Sequence, residues 1–183
     1  MNTNSAVLIA FLAATAVSFT PSPFLAAQEV QWMGWEEANQ VLPAKDKKVL
    51  LNIYTEWCGW CKRMDHSTFR SPRIAEYIND NFHPIRFDAE CKEKVEYQGK
   101  TYEFKDNGKR GYHELAAKLL NGRMSLPSVV FMDEEHNLIQ CIIGYKSPEE
   151  FEQILAYFAG DHYKEVPWSR FKQQYEPRLI SND

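Results

Sequence analysis

The apolar and polar positions of this chain change period several times, and each change marks an element. Trp35, Ala38, Val41 and Leu42 recur at helical spacing within Trp32 to Leu42, which predicts a short amphipathic helix ended by Pro43 and the charged run Lys45-Asp46-Lys47-Lys48. Val49 to Thr55 is instead a compact apolar and β-branched run, the pattern of a buried strand, and it leads straight into Trp57-Cys58. Lys62, Arg63 and Met64 then read as helix. Ser71-Pro72 supplies an N-cap and a first-turn proline for a restart through Ile74, Ala75, Tyr77 and Ile78, so the helix after the strand is expected in two parts.

The second half repeats these signals at shorter range. His83 to Asp88 alternates as a strand, with Ile85 and Phe87 against Arg86 and Asp88. The polar stretch that follows has the alternation and central Gly99 of a β-hairpin over Val95 to Phe104, and 93–110 is expected to be a surface insertion. There Tyr102, Phe104 and Tyr112 either line a partner surface or pack the hairpin onto the domain. Tyr112 to Leu120 is amphipathic, with Gly122 as its stop. Leu126-Pro127 precedes a strand at Ser128 to Met132, a turn at Asp133 to Asn137 and a strand at Leu138 to Tyr145. Ser147-Pro148-Glu149-Glu150 opens a helix running through Phe158, because a capping serine, a first-turn proline and early carboxylates all suit a helix N-terminus. Tyr163, Val166, Phe171 and Tyr175 suggest one more helix in a C-terminal extension, 161–183.

The start of the chain differs in kind. No Lys, Arg, Asp or Glu occurs before Glu29, and Ala6 to Phe19 is apolar except for Thr15 and Ser18, too short a run to span a bilayer comfortably. With small residues at Ala26 and Ala27 it reads as a secretory signal peptide, 1–27, cleaved after Ala27. An uncleaved anchor and a disordered apolar tail are the other readings of such a run. The remainder, 28–160, has the length of one domain. At 44% apolar and 25% charged residues the chain is far from the composition of disorder. Its net charge of −4, with both signs interspersed, excludes the broad positive field that holds nucleic acid, leaving proteins or small molecules as partners.

The candidate chemistry lies in the cysteines. Cys58 and Cys61 are separated by two residues at a predicted helix start, where unpaired N–H groups and the helix dipole favour a thiolate at Cys58 as nucleophile. Cys61, one turn inside, is placed to resolve the mixed disulfide that Cys58 would form. A zinc knuckle would need a second ligand pair, which the isolated Cys91 and Cys141 do not provide, and His66 alone makes a poor set. A merely structural disulfide is the other reading of the pair. His66, His83, His113, His136 and His162 show no ligand spacing and are expected at surface or turn positions, so no metal and no cofactor is implied.

Trp57-Cys58-Gly59-Trp60-Cys61-Lys62 after Leu50-Leu51-Asn52-Ile53-Tyr54, with Leu126-Pro127 before a strand and Gly144 in the last one, resembles the thioredoxin superfamily over roughly Trp35 to Ala159. The stretch through Lys62-Arg63-Met64 to Thr68-Phe69 is similar to exported members and to the C-terminal periplasmic domain of the membrane thiol:disulfide interchange reductase. The resemblance implies an α/β three-layer sandwich with a central mixed sheet flanked by helices. It implies a cis Leu126-Pro127 bond and a substrate surface made by Trp57, Gly59, Trp60, Leu126 and Pro127. It also implies a periplasmic location in a bacterial cell envelope, electrons from a membrane or soluble thiol reductase, and exported proteins or apocytochromes as acceptors. Its strand order sets Cys91 and Cys141 too far apart to pair, so both are expected to be free, with Cys141 buried. Two positions depart from the pattern. Asn52 stands where thioredoxin has a proton-accepting aspartate, leaving Glu56 as the nearest carboxylate in sequence. Gly59-Trp60 lacks the histidine of the oxidase and isomerase branches, which favours a reductase. An oxidase or isomerase, and a non-catalytic binding or chaperone module on the same fold, are the alternatives.

Overall fold

Strand β1 (Lys48–Tyr54) is the axis of the molecule because its apolar residues bury both of its faces, Leu50 in one layer and Val49, Leu51 and Ile53 in the other. The computed structural model describes residues 29–178, and the expected signal peptide, 1–27, lies outside them. Helix α1 (Trp35–Val41) precedes β1, and α2 (Gly59–Ser67), α3 (Pro72–Asn81) and β2 (Phe82–Asp88) follow. Next come the short strands β3 (Val95–Tyr97), β4 (Lys100–Tyr102), β5 (Phe104–Lys105) and β6 (Tyr112–His113). The chain continues through α4 (Glu114–Leu119), β7 (Ser128–Met132), β8 (Leu138–Ile143), α5 (Pro148–Ala159) and α6 (Trp168–Gln174).

The central sheet runs β2-β1-β7-β8, with β1 parallel to β2 and the other two pairings antiparallel. It is the expected mixed sheet. On one face Leu50, Phe82, Val129 and Phe131 pack against Met64 of α2, Ile74 and Ile78 of α3, Phe151 and Leu155 of α5 and Phe171 of α6. On the other, Val49, Leu51, Ile53, Ile85 and Val130 meet Ala38 of α1, Leu115 and Ala116 of α4, and the side chains of Val95, Tyr97 and Tyr102. Three layers result. At the far end of the sheet Lys48 Nζ lies 2.8 Å from Glu134 Oε1 and 3.1 Å from Asp161 Oδ1. Burial opposes its charge, yet the hydrogen bonds to these two carboxylates outweigh burial and raise its pKa.

Several expected elements form with shifted ends. The first helix starts at Trp35, because Met33 is held as extended chain beside β2, bridging Ile85 and donating its N–H to Pro84 O at 2.9 Å. The hairpin in the polar stretch pairs Val95 with Tyr102 across Gln98 and Gly99, both at positive φ (51° and 72°), the geometry a two-residue hairpin turn demands. Val95, Tyr97 and Tyr102 are buried, so this hairpin packs onto the domain. A second ribbon that the pattern did not predict, β5 with β6, follows it. Helix α5 carries the full capping box: Ser147 Oγ accepts from Glu150 N, and Glu150 Oε2 accepts from Ser147 N.

Two expectations are corrected. Cys141 is only half-buried, because β8 is the outer strand of the sheet and has one side open to solvent. His113 is neither a surface nor a turn residue; it is fully buried at the N-cap of α4, its ring edge-on to Phe87 at 5.1 Å.

Candidate active site

One end of the central sheet gathers the loops that matter. The parallel strands β1 and β2 end together, with Tyr54 opposite Asp88. Strand β7 starts there, Ser128 opposite Ile53, and β8 finishes there, Ile143 opposite Ser128. The segments 55–58, 89–92, 126–127 and 144–145 therefore cluster at this end, joined by the second ribbon through His113 N–H donating to Ala89 O at 2.7 Å.

Cys58 is delivered by β1 through a tight turn in which its N–H donates to Thr55 O at 3.1 Å, and it forms the N-cap of α2. Cys61 is one turn inside that helix. The two are joined as a disulfide with Cα atoms 5.2 Å apart, and Cys61 N–H donates to Cys58 Sγ at 3.1 Å. Both cysteines lie just under the surface, Cys58 at 6% and Cys61 at 3% exposure. A sulfur at this place receives a helix N–H and faces the positive end of the helix dipole, a setting that suits a negative charge.

Leu126-Pro127 is cis, and the carbonyl of Pro127 accepts from Gly144 N at 2.8 Å, where Gly144 has a φ of 83°. Pro127 is buried and Leu126 half-buried. Asn52 sits on the β1 face that bears Leu50, the face covered by α2, and is buried; its Oδ1 and the Oγ1 of buried Thr55 have no hydrogen-bond partner among the described residues. Glu56 is exposed.

The two exposed indoles, Trp57 just before Cys58 and Trp60 between the cysteines, lean toward opposite edges of the sheet. Trp57, 54% exposed, donates from Nε1 to Glu90 Oε1 at 3.0 Å, and the Arg110 guanidinium lies 4.1 Å over its ring. Trp60, 57% exposed, is 5.7 Å from the Tyr145 ring, with Arg63 at 5.3 Å from the indole and 5.4 Å from the tyrosine. Gly59, between them, is open to solvent and a Cβ there would meet nothing within 4 Å. Glu90, Arg110 and Tyr145 were not singled out from sequence for this site. Only their three-dimensional contacts mark them, since they belong to three loops far apart along the chain.

The remaining candidates stay apart. Cys91 and Cys141 are free, one after β2 and the other in β8 at opposite sides of the sheet; burial pushes the Cys141 thiol up, partly offset by Ser128. His66 is exposed with Nδ1 against Lys62 O, and His83 Nε2 lies 2.8 Å from Asp46. Among the described residues no group of His, Cys, Asp and Glu is arranged to hold a metal ion, and no helix is long and apolar enough to cross a membrane.

A family model described as Thioredoxin-like domain matches residues 35–159. The chain is 32% identical over 79 residues to an uncharacterized protein of Caenorhabditis elegans, a match that covers 41% of this chain and 11% of that one. It is 41% identical over 46 residues to the thiol:disulfide interchange protein DsbD of Salmonella typhi, covering 25% and 8%. The chain thus spans only about a tenth of the length of these curated relatives. Among solved structures, a thioredoxin-fold protein from Helicobacter pylori superposes with a TM-score of 0.56 at 18% identity, over 70% of this chain and 81% of that one, a likeness of fold.

Proposed function

The chain belongs to the thioredoxin-like family and is built as one of its thiol-disulfide oxidoreductases, and from that premise we propose that it reduces disulfides in exported proteins. The carrying observation is the Cys58–Cys61 disulfide at the start of α2, with Cys61 N–H donating to Cys58 Sγ. In the dithiol form the Cys58 thiolate attacks one sulfur of a substrate disulfide, forming a Cys58–substrate bond and releasing the other substrate sulfur as a thiolate. Cys61, on losing its proton, attacks Cys58 Sγ. That step restores the Cys58–Cys61 bond and frees the second substrate thiol, so two electrons leave the protein and no bound cofactor takes part. Another thiol protein, a membrane or soluble reductase, then returns the pair to the dithiol.

Pro127 and Leu126 offer an extended substrate segment backbone and apolar contact beside the sulfurs, and Trp57, Gly59 and Trp60 form the exposed rim. Glu56 is the carboxylate we assign to accept the Cys61 proton through water, since the amide of Asn52 cannot accept it. The direction follows from Gly59-Trp60, which brings no imidazolium to stabilise the thiolate and so favours the reducing branch over an oxidase or isomerase. Export follows from the apolar run before Glu29, with 1–27 as signal peptide, 28–160 as the catalytic domain and 161–183 as its extension, and the periplasm as the place of action. Exported proteins with disulfides, apocytochromes among them, are the substrates.

Asn52 favours a second reading, a binding or chaperone module on the same scaffold. A Cys61→Ala variant separates the two. The oxidoreductase accumulates partners joined covalently through Cys58 that dithiothreitol releases, whereas a scaffold holds partners that survive the reductant and traps none.

A further inference from the structure

Arg63 and Arg110 stand out among the cations of this molecule. Each guanidinium lies over the ring of an exposed tryptophan next to the cysteine pair, and among the described residues neither forms an ion pair with a carboxylate. Arg86, by contrast, is paired with Asp65 at 2.7 Å. Stacking on an indole leaves the edge of a guanidinium free to donate, and that planar fork matches a carboxylate in two parallel hydrogen bonds. Tryptophan and arginine are also the residue types that dominate binding energy at protein interfaces.

The placement is two-sided. Trp57 is tied to the β2 edge by Glu90 and carries Arg110 from the tip of the second ribbon. Trp60 leans on Tyr145, beyond the end of β8, and carries Arg63. Along the chain Cys58 and the open Gly59 lie between the two tryptophans. Exposed Lys62 and Lys109 adjoin the two arginines, while the carboxylates of these segments are Glu90, engaged with the Trp57 N–H, Asp88, which accepts from Glu90 N, Asp106, which accepts from Gly108 N, and Glu56. Three of these four carboxylates already accept hydrogen bonds, and the two guanidiniums keep no carboxylate partner among the described residues, on a chain whose net charge is −4.

We propose that Arg63 and Arg110 make this site selective for polypeptide disulfides whose cysteine is flanked on both sides by Asp or Glu. The proposal rests on the exchange reading above and names its substrate class. A carboxylate before the attacked cysteine meets one guanidinium and a carboxylate after it meets the other, which steers encounter and fixes the register of the segment over Cys58. Basic flanks are repelled at both places.

The test uses the full chain in its dithiol form and three probes: uncharged 2-hydroxyethyl disulfide and two short synthetic peptides, each closed by one disulfide, identical except for Asp or Lys flanks. Two electrons pass from Cys58/Cys61 to each probe, read as loss of protein thiol, and each rate is divided by the rate of the same probe with dithiothreitol. The expected ratio of acidic to basic peptide is about tenfold at low salt, collapsing toward one near ~1 M salt, where the Debye length is only ~3 Å. Arg63→Gln and Arg110→Gln each lower that ratio, and the double variant, with its fold checked by circular dichroism, removes it. Equal peptide rates, a ratio indifferent to salt, or a ratio intact in the folded double variant would overturn the proposal while leaving the exchange reading standing. Failure to reduce even 2-hydroxyethyl disulfide would remove the exchange reading, and this inference with it.

Discussion

Burial leaves His113 uncharged. Its Nδ1 accepts from Leu115 N at 3.1 Å, which fixes the proton on Nε2, and Nε2 donates to Glu93 O at 3.0 Å. Desolvation holds its pKa below the usual 6.5, against the smaller pull of the Glu93 carbonyl. The unfolded chain therefore takes up this proton at higher pH than the folded one. The stability from neutral His113 is complete above about pH 6.5 and is lost as pH falls through the lowered folded value. Urea unfolding at about pH 7.5 and about pH 5.5 should show a lower midpoint at the acid end, and His113→Gln should flatten that difference. A midpoint insensitive to pH in the native protein contradicts a buried neutral ring. Sequence gave no hint of this role, because a histidine without ligand spacing looks the same at a surface turn as at a helix cap.

At the scale of elements, the second ribbon is the part of the site most exposed to a single change. Asp106 Oδ1 accepts from Gly108 N, and Asn107 Oδ1 accepts from Lys109 N and Gly111 N, so side chains rather than a ladder shape the loop that presents Arg110. Gly111 has a φ of 74°, and a Cβ there would run into the Phe104 ring and the Lys105 carbonyl. Gly111→Ala should therefore lower stability by about 1–2 kcal/mol and strip amide-exchange protection from 104–113 while β1 and β7 keep theirs. Retained protection throughout the ribbon would show that the turn tolerates a side chain. Elements with local signals were legible in sequence: α5 from Ser147-Pro148 and Glu150, β7 from its run of apolar residues, the first hairpin from Gly99. The ribbon was not, since strands of two residues carry no period and are fixed by contacts with Ala89 and Phe104.

For the whole molecule, sheet order does what no single stretch of sequence does: it brings 55–58, 89–92, 126–127 and 144–145 to one end and gives that end two arginine-bearing walls, Trp57 with Arg110 and Trp60 with Arg63. The pair and Pro127 could be read from the chain because a strand, two cysteines and a helix start are contiguous, and a proline before a strand is visible. The walls could not, because Glu90, Arg110 and Tyr145 converge only after folding. What the pair does is set by its equilibrium with other thiols. The most direct test is its reduction potential, obtained by equilibrating the protein in glutathione buffers of known ratio and counting thiols at Cys58 and Cys61. The account predicts a value near that of thioredoxin, about −270 mV; a value above about −180 mV would place the couple among oxidases and isomerases and contradict it.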